Sequence, residues 1–142
     1  MDAGWEHFPH DADVGIRGYG ETPAEAFAQA ALAMTAVITD PERVRPLQTV
    51  AIECTAPDLE TLLADWLNRL VFEMATRKLL FSQFAVAIDD SGRLTATALG
   101  EPVDTRNHEP AAEVKGATFT ALSVAQDKDN RDRWHAQCVL DV

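Results

Sequence analysis

An α+β fold is predicted by three observations on this 142-residue sequence. Two stretches repeat apolar residues at three- and four-residue spacings, and each opens on a capping residue, as helices do. Several others alternate apolar and polar residues with the two-residue period of strands. Turn-forming clusters separate these, so neighbouring strands run mainly antiparallel. The expected architecture is two helices packed with mainly antiparallel sheet, in one domain covering residues 1–142.

The elements follow in order. The opening "WEHFPHDADVGIRGYG", residues 5–20, crowds His7, His10, Asp11 and Asp13 ahead of a glycine-punctuated alternation. From Asp13 a strand is expected, with Val14 and Ile16 on one side and Asp13, Arg17 and Tyr19 on the other. Gly15, Gly18 and Gly20 point to close backbone approach or bulging. "GETPAEAF" starts a helix, with Thr22 at the N-cap, Pro23 at N1 and Glu25 at N3 of a capping box. Phe27, Ala31, Met34 and Ile38 form its apolar stripe, and Asp40-Pro41 ends it. Val50, Ile52 and Cys54 mark the next strand. The second helix opens at Asp58 and carries the widest stripe: Leu59, Leu62, Leu63, Trp66, Leu67, Leu70, Val71 and Met74. A stripe this wide calls for a sheet to cover it.

The remainder reads as β. Phe84, Val86 and Ile88 alternate, Asp89-Asp90-Ser91-Gly92 turns the chain, and Leu94, Ala96 and Ala98 return. A polar loop, "GEPVDTRNHEP", leads to strand-like "EVKGATFTALSVA". A charged turn then precedes "WHAQCVLDV", whose Trp134, Ala136, Cys138, Leu140 and Val142 share one face.

Composition narrows the function classes. Hydrophobic residues are 46% and charged residues 25%, ordinary values for a globular chain. No apolar run approaches the ~20 residues that span a membrane. Met1 is followed by acidic and polar residues where a signal peptide would carry a basic and then an apolar block, so a cytoplasmic protein is expected. Cys54 and Cys138 lie far apart without a CxxC partner and read as free, buried thiols. The net charge of −11 disfavours direct tight binding to nucleic acid, and the basic residues form no stripe. A cation or a basic protein partner suits this field better.

Carboxylates and histidines are the groups left to carry chemistry, since phosphate-binding glycine loops, nucleophile elbows and zinc motifs are missing. Asp11 and Asp13, two apart, can point the same way in extended chain and offer oxygens to a hard cation. Asp141, off the apolar face of the last strand, is followed at once by the terminal carboxylate of Val142. A third group is the loop and its exit: Glu101, Asp104, His108, Glu113 and Lys115. Each has a plainer reading as turn-forming or solvated surface.

The segments "WEHFPHDADVGIRGYGETPAEAFAQAA", "GEPVDTRNHEP", "EVKGATF" and "WHAQCVLDV", in this order from Trp5 to Val142, resemble the archease family. These are the small protein partners of the RtcB-type tRNA-splicing RNA ligase. The resemblance covers essentially the whole chain. Three positions depart from the family's usual pattern: Asp11 replaces Thr or Ser, Gly116 replaces Ala, and Thr120 replaces His, leaving any role of that histidine unsupported here. The resemblance implies two strand-helix-strand-strand modules, one inserted into the other. It implies a non-catalytic activator that promotes ligase guanylylation and multiple turnover in tRNA splicing. It also implies a divalent cation, Ca²⁺ in particular with Mg²⁺ or Mn²⁺ as alternatives, held by Asp13, Asp141 and Val142. His10, Asp11, His108 and Lys115 are then candidates for residues supporting the site or touching the partner. Two rival readings remain: a modulator of another RNA-modifying enzyme, and a metal-dependent phosphoester hydrolase using Asp13, His10 and His108.

Overall fold

The computed structural model describes residues 3–142. Strand β1 (Gly4–His10) turns through Asp11-Ala12 into β2 (Asp13–Gly20), which leads into helix α1 (Pro23–Ile38). Strand β3 (Gln48–Thr55), helix α2 (Leu59–Arg77), β4 (Leu79–Ile88) and β5 (Arg93–Pro102) follow. A one-turn helix α3 (Thr105–His108) and strands β6 (Gly116–Ala117), β7 (Ser123–Gln126) and β8 (Trp134–Asp141) complete the chain.

Two antiparallel sheets result. The first has the order β1-β2-β8-β6, with β7 also paired to β8; the second has the order β3-β5-β4. The β3-α2-β4-β5 unit therefore sits between α1 and β6 in the chain, which is the nesting the resemblance implied. Among the described residues, no helix is long and apolar enough to cross a membrane.

Both helix starts form as their sequences dictate. Thr22 accepts from the Glu25 N–H at 3.1 Å, and Asp58 accepts from the Thr61 N–H at 2.7 Å. Helix α2 ends with Lys78 in the left-handed region, φ 55°, and its N–H returns to the Met74 carbonyl. On α2 the residues Leu62, Leu63, Trp66, Leu67 and Leu70 are fully buried. Each such side chain stabilises the fold by roughly 1.5–3 kcal/mol relative to exposure. One apolar cluster joins them to Phe27 and Met34 of α1, Ile16, Cys138 and Leu140 of the first sheet, and Phe81 and Leu94 of the second.

Two glycines are obligatory. A Cβ on Gly18 would lie 2.3 Å from the Ala26 carbonyl oxygen, because the alanine face of α1 rests directly on β2. A Cβ on Gly100 would lie 1.7 Å from the Leu80 oxygen, at the point where β4 bulges between Phe81 and Gln83.

Two expectations are corrected, and one strand is added. Residues 4–10 form a strand, although their apolar residues do not alternate cleanly; β1 is an edge strand, where Pro9 is tolerated. Asp11 does not continue the extended chain beside Asp13. It occupies the hairpin turn at φ 51°, a left-handed position that Asp tolerates better than most residues. The stretch "EVKGATFTALSVA" is not one strand. Its two short strands flank a turn in which Leu122 bonds Phe119, with Ala121 at φ 54°, leaving Phe119 exposed.

The cysteines are free, Cys138 buried and Cys54 half-buried. Burial pushes the Cys138 thiol up to about 12 and raises Cys54 as well. A disulfide-exchange reagent at pH 8 is expected to modify Cys54 first and Cys138 only as the protein unfolds. Equal rates at both thiols in the folded protein would contradict this.

Candidate functional site

Strand pairing brings the two ends of the chain together. In the β2–β8 ladder Val14 stands opposite Leu140, so the next step places Asp13 opposite Asp141. On the far side of Asp141, Gly116 is its partner, and the Lys115 N–H donates to the Asp141 carbonyl at 2.8 Å. Ile16, Cys138 and Leu140 face inward, so by alternation Asp13 and Asp141 project from the outer face of the sheet. Directly opposed residues of an antiparallel pair share a face, which makes these carboxylates neighbours. Val142 packs against the core beyond the strand end, holding its backbone beside Asp141.

Other residues named from the sequence divide into two groups. His10 is opposite Asp13 across the hairpin turn, and its Nδ1 lies 4.0 Å from an Asp11 carboxylate that is 94% exposed. Lys115 is exposed and lines a groove with Val71, Met74 and Glu113. His7, by contrast, is tied to α1 through a 2.8 Å contact with the Ala33 carbonyl.

His108 belongs to a separate, buried cluster. The Asp104 N–H donates to its Nδ1 at 2.9 Å, so that nitrogen is unprotonated and Nε2 carries the hydrogen donated to Glu101, 3.0 Å away. The Glu101 carboxylate also accepts from the Arg45 backbone N–H at 2.8 Å and from its guanidinium at 3.0 Å. With both ring nitrogens engaged and 1% exposure, His108 does not reach out to a shared centre with Asp13 and His10. The hydrolase reading loses one of its three residues.

The Arg45 backbone bond, the His108 bond and the Arg45 guanidinium together hold the Glu101 carboxyl down to about 2, against the opposing effect of burial. The unfolded chain holds a glutamate near ~4.3. The cluster's stabilisation is therefore complete above that value and is lost as pH falls through about 2. Urea midpoints of Glu101→Gln are expected to fall less than those of the parent between these pH values. Parallel profiles would show that Glu101 carries no linkage.

Two carboxylates and a backbone oxygen are hard donors, suited to Ca²⁺, Mg²⁺ or Mn²⁺ rather than to a thiophilic metal. Among the described residues, no group of three or more His, Cys, Asp and Glu side chains converges as a metal cage. The Asp13–Asp141 end is thus a partial donor set.

Comparison with known proteins decides the family. The pattern of the Archease protein family (MTH1598/TM1083) matches residues 5–142. The chain belongs to the archease family. Protein archease of Pyrococcus furiosus is 39% identical over 141 residues, covering 97% of this chain and 98% of the relative. Protein archease of Methanothermobacter thermautotrophicus is 39% identical over 142 residues, covering 98% and 99%. The archease fold seen here also matches the solution structure of Methanobacterium thermoautotrophicum protein 1598, with a TM-score of 0.84 and 39% identity over 98% of this chain and 99% of that one.

Proposed function

We propose that this archease is a metal-binding protein cofactor of an RtcB-type tRNA-splicing RNA ligase, taking no catalytic part in the ligation itself and acting in the cytoplasm to promote the ligase's guanylylation and multiple turnover. The observation that carries the reading is the meeting of Asp13 with Asp141 at one sheet end, in a chain of this family. Asp13, Asp141 and a backbone oxygen of Val142 would hold a divalent cation. When bound, that cation supplies a fixed positive charge that attracts and orders carboxylate or phosphate oxygens. The chain's own part is positional. The β2–β8 ladder fixes the two carboxylates, the inward-packed Val142 keeps the strand end from fraying, and Lys115 ties β8 to the segment before β6.

An overall charge of −11 suits docking onto a basic enzyme surface, whereas RNA would be repelled by this acidic chain. The deciding experiment is guanylylation and ligation by the ligase of the same source, with this protein present or left out. Multiple products per ligase are expected only in its presence. Identical turnover without it would end this reading.

A further inference from the structure

The outer face of the first sheet carries a second constellation, at the other end of β8 from Asp141. The Ser123 hydroxyl lies 3.1 Å from His135 Nε2, and His135 Nδ1 lies 2.8 Å from an Asp127 carboxylate oxygen. A carboxylate can only accept, so Nδ1 carries the hydrogen, and in the neutral imidazole Nε2 is then the acceptor facing the serine. That is the tautomer a general base needs to take a hydroxyl proton.

The backbone explains how the three residues meet. Ala125 pairs with His135 and Ser123 with Gln137, so Ser123 and His135 are diagonal neighbours on one face. Asp127 follows β7 directly, and its N–H bonds the Arg133 carbonyl at 2.8 Å, closing the loop between β7 and β8. Its second oxygen accepts from Arg133, whose guanidinium lies over the Tyr19 ring at 4.3 Å. Burial raises the Asp127 carboxyl, but the His135 and Arg133 hydrogen bonds outweigh it and keep the group ionised.

All three residues line a cleft of about 450 Å³ that also takes in Arg17, Lys128 and Gln137. The Arg17 guanidinium at the cleft wall is held by Gln137 at 2.7 Å and by Glu6 at 2.9 Å.

We propose that Ser123, His135 and Asp127 form a nucleophilic relay that hydrolyses small acyl esters. Ser123 Oγ bonds to the ester carbonyl carbon while its proton passes to His135 Nε2 and the carbonyl electron pair moves to oxygen. Collapse breaks the ester C–O bond, and the leaving alkoxide takes the proton from His135. Water then attacks the acyl-serine, His135 accepts its proton and returns it to Ser123, and the free acid departs. Ser123 and His135 are catalytic, and Asp127 is a positioning residue. Six residue steps of strand separate His135 from Asp141, roughly 20 Å, so the relay stands independently of the proposed metal end.

The test uses the whole protein with diisopropyl fluorophosphate and with p-nitrophenyl acetate. One phosphoryl adduct is expected, mapped to Ser123 by peptide mass spectrometry, unaffected by EDTA and lost in Ser123→Ala. His135→Gln is expected to slow labelling and ester hydrolysis by roughly 100-fold. Asp127→Asn is expected to lower kcat with KM unchanged. Circular dichroism establishes that each variant is folded. No adduct on Ser123 of the folded parent, or labelling of folded His135→Gln at the parental rate, overturns the proposal.

Discussion

Asp13→Asn and Asp141→Asn are each expected to reduce ligase stimulation at least about 10-fold, the smallest loss that removing a ligand-supporting group from a metal site commonly causes. The same substitutions are expected to leave the fold slightly more stable. The β2–β8 register, carried one step past Val14 and Leu140, sets Asp13 opposite Asp141 on the outer face. Like charges directly opposite destabilise such a pair by roughly 0.2–1 kcal/mol, which neutralising either one relieves. Function and stability should therefore move in opposite directions, a combination that general damage to the fold does not produce. Thermal unfolding with and without millimolar Ca²⁺, Mg²⁺ or Mn²⁺ gives the matching readout. The parent's melting temperature should rise with the effective cation, and neither variant's should. Full stimulation by both variants would remove these carboxylates from the mechanism.

Trp66→Ala is expected to have the largest effect on stability. The indole is fully buried, donates from Nε1 to the Phe27 carbonyl at 3.0 Å, and meets the Phe84 ring edge-on with centroids 6.0 Å apart. It thereby ties α2 to α1 and to the second sheet. Truncating such a side chain costs about 3–5 kcal/mol, combining lost transfer energy with the cavity left behind. Domains of this size are stable by only ~5–15 kcal/mol, so a large part of the folding free energy goes with one residue. Trp66→Phe keeps much of the volume and loses the Nε1 hydrogen bond, so its cost should fall well below that of alanine. Urea unfolding of the three proteins orders them; equal midpoints for alanine and phenylalanine would mean that volume is not what Trp66 contributes.

Elements set by short-range interactions were legible from the residues. Thr22 and Asp58 cap the helices they precede, because a side-chain oxygen satisfies an N–H only three residues away. The stripe from Leu62 to Leu70 is buried as its spacing requires, since helical periodicity alone puts those residues on one face. Strand β1 was harder, because an edge strand with Pro9 and mixed polarity carries little alternation. The break within residues 113–125 was hidden for a related reason. Its apolar residues alternate well enough for a strand, but the chain there has only the β8 edge to pair with and turns outward at Phe119.

The candidate site divides the same way. The sequence by itself determined the fold class, the helices with their caps, the acidic character and, through ordered motifs, the family. It also presented Asp13 and Asp141 as separate candidates at opposite ends of the chain. Only the tertiary structure decided that they are neighbours, that Asp11 sits in the turn between strands, and that His108 is spent on Glu101 and Asp104 in the interior. It alone aligned Ser123, His135 and Asp127. The physical reason is range. Caps and periodicity act within a few residues, whereas these juxtapositions follow from the register of β2, β7 and β8, which is set by the packing of the whole sheet on its helices.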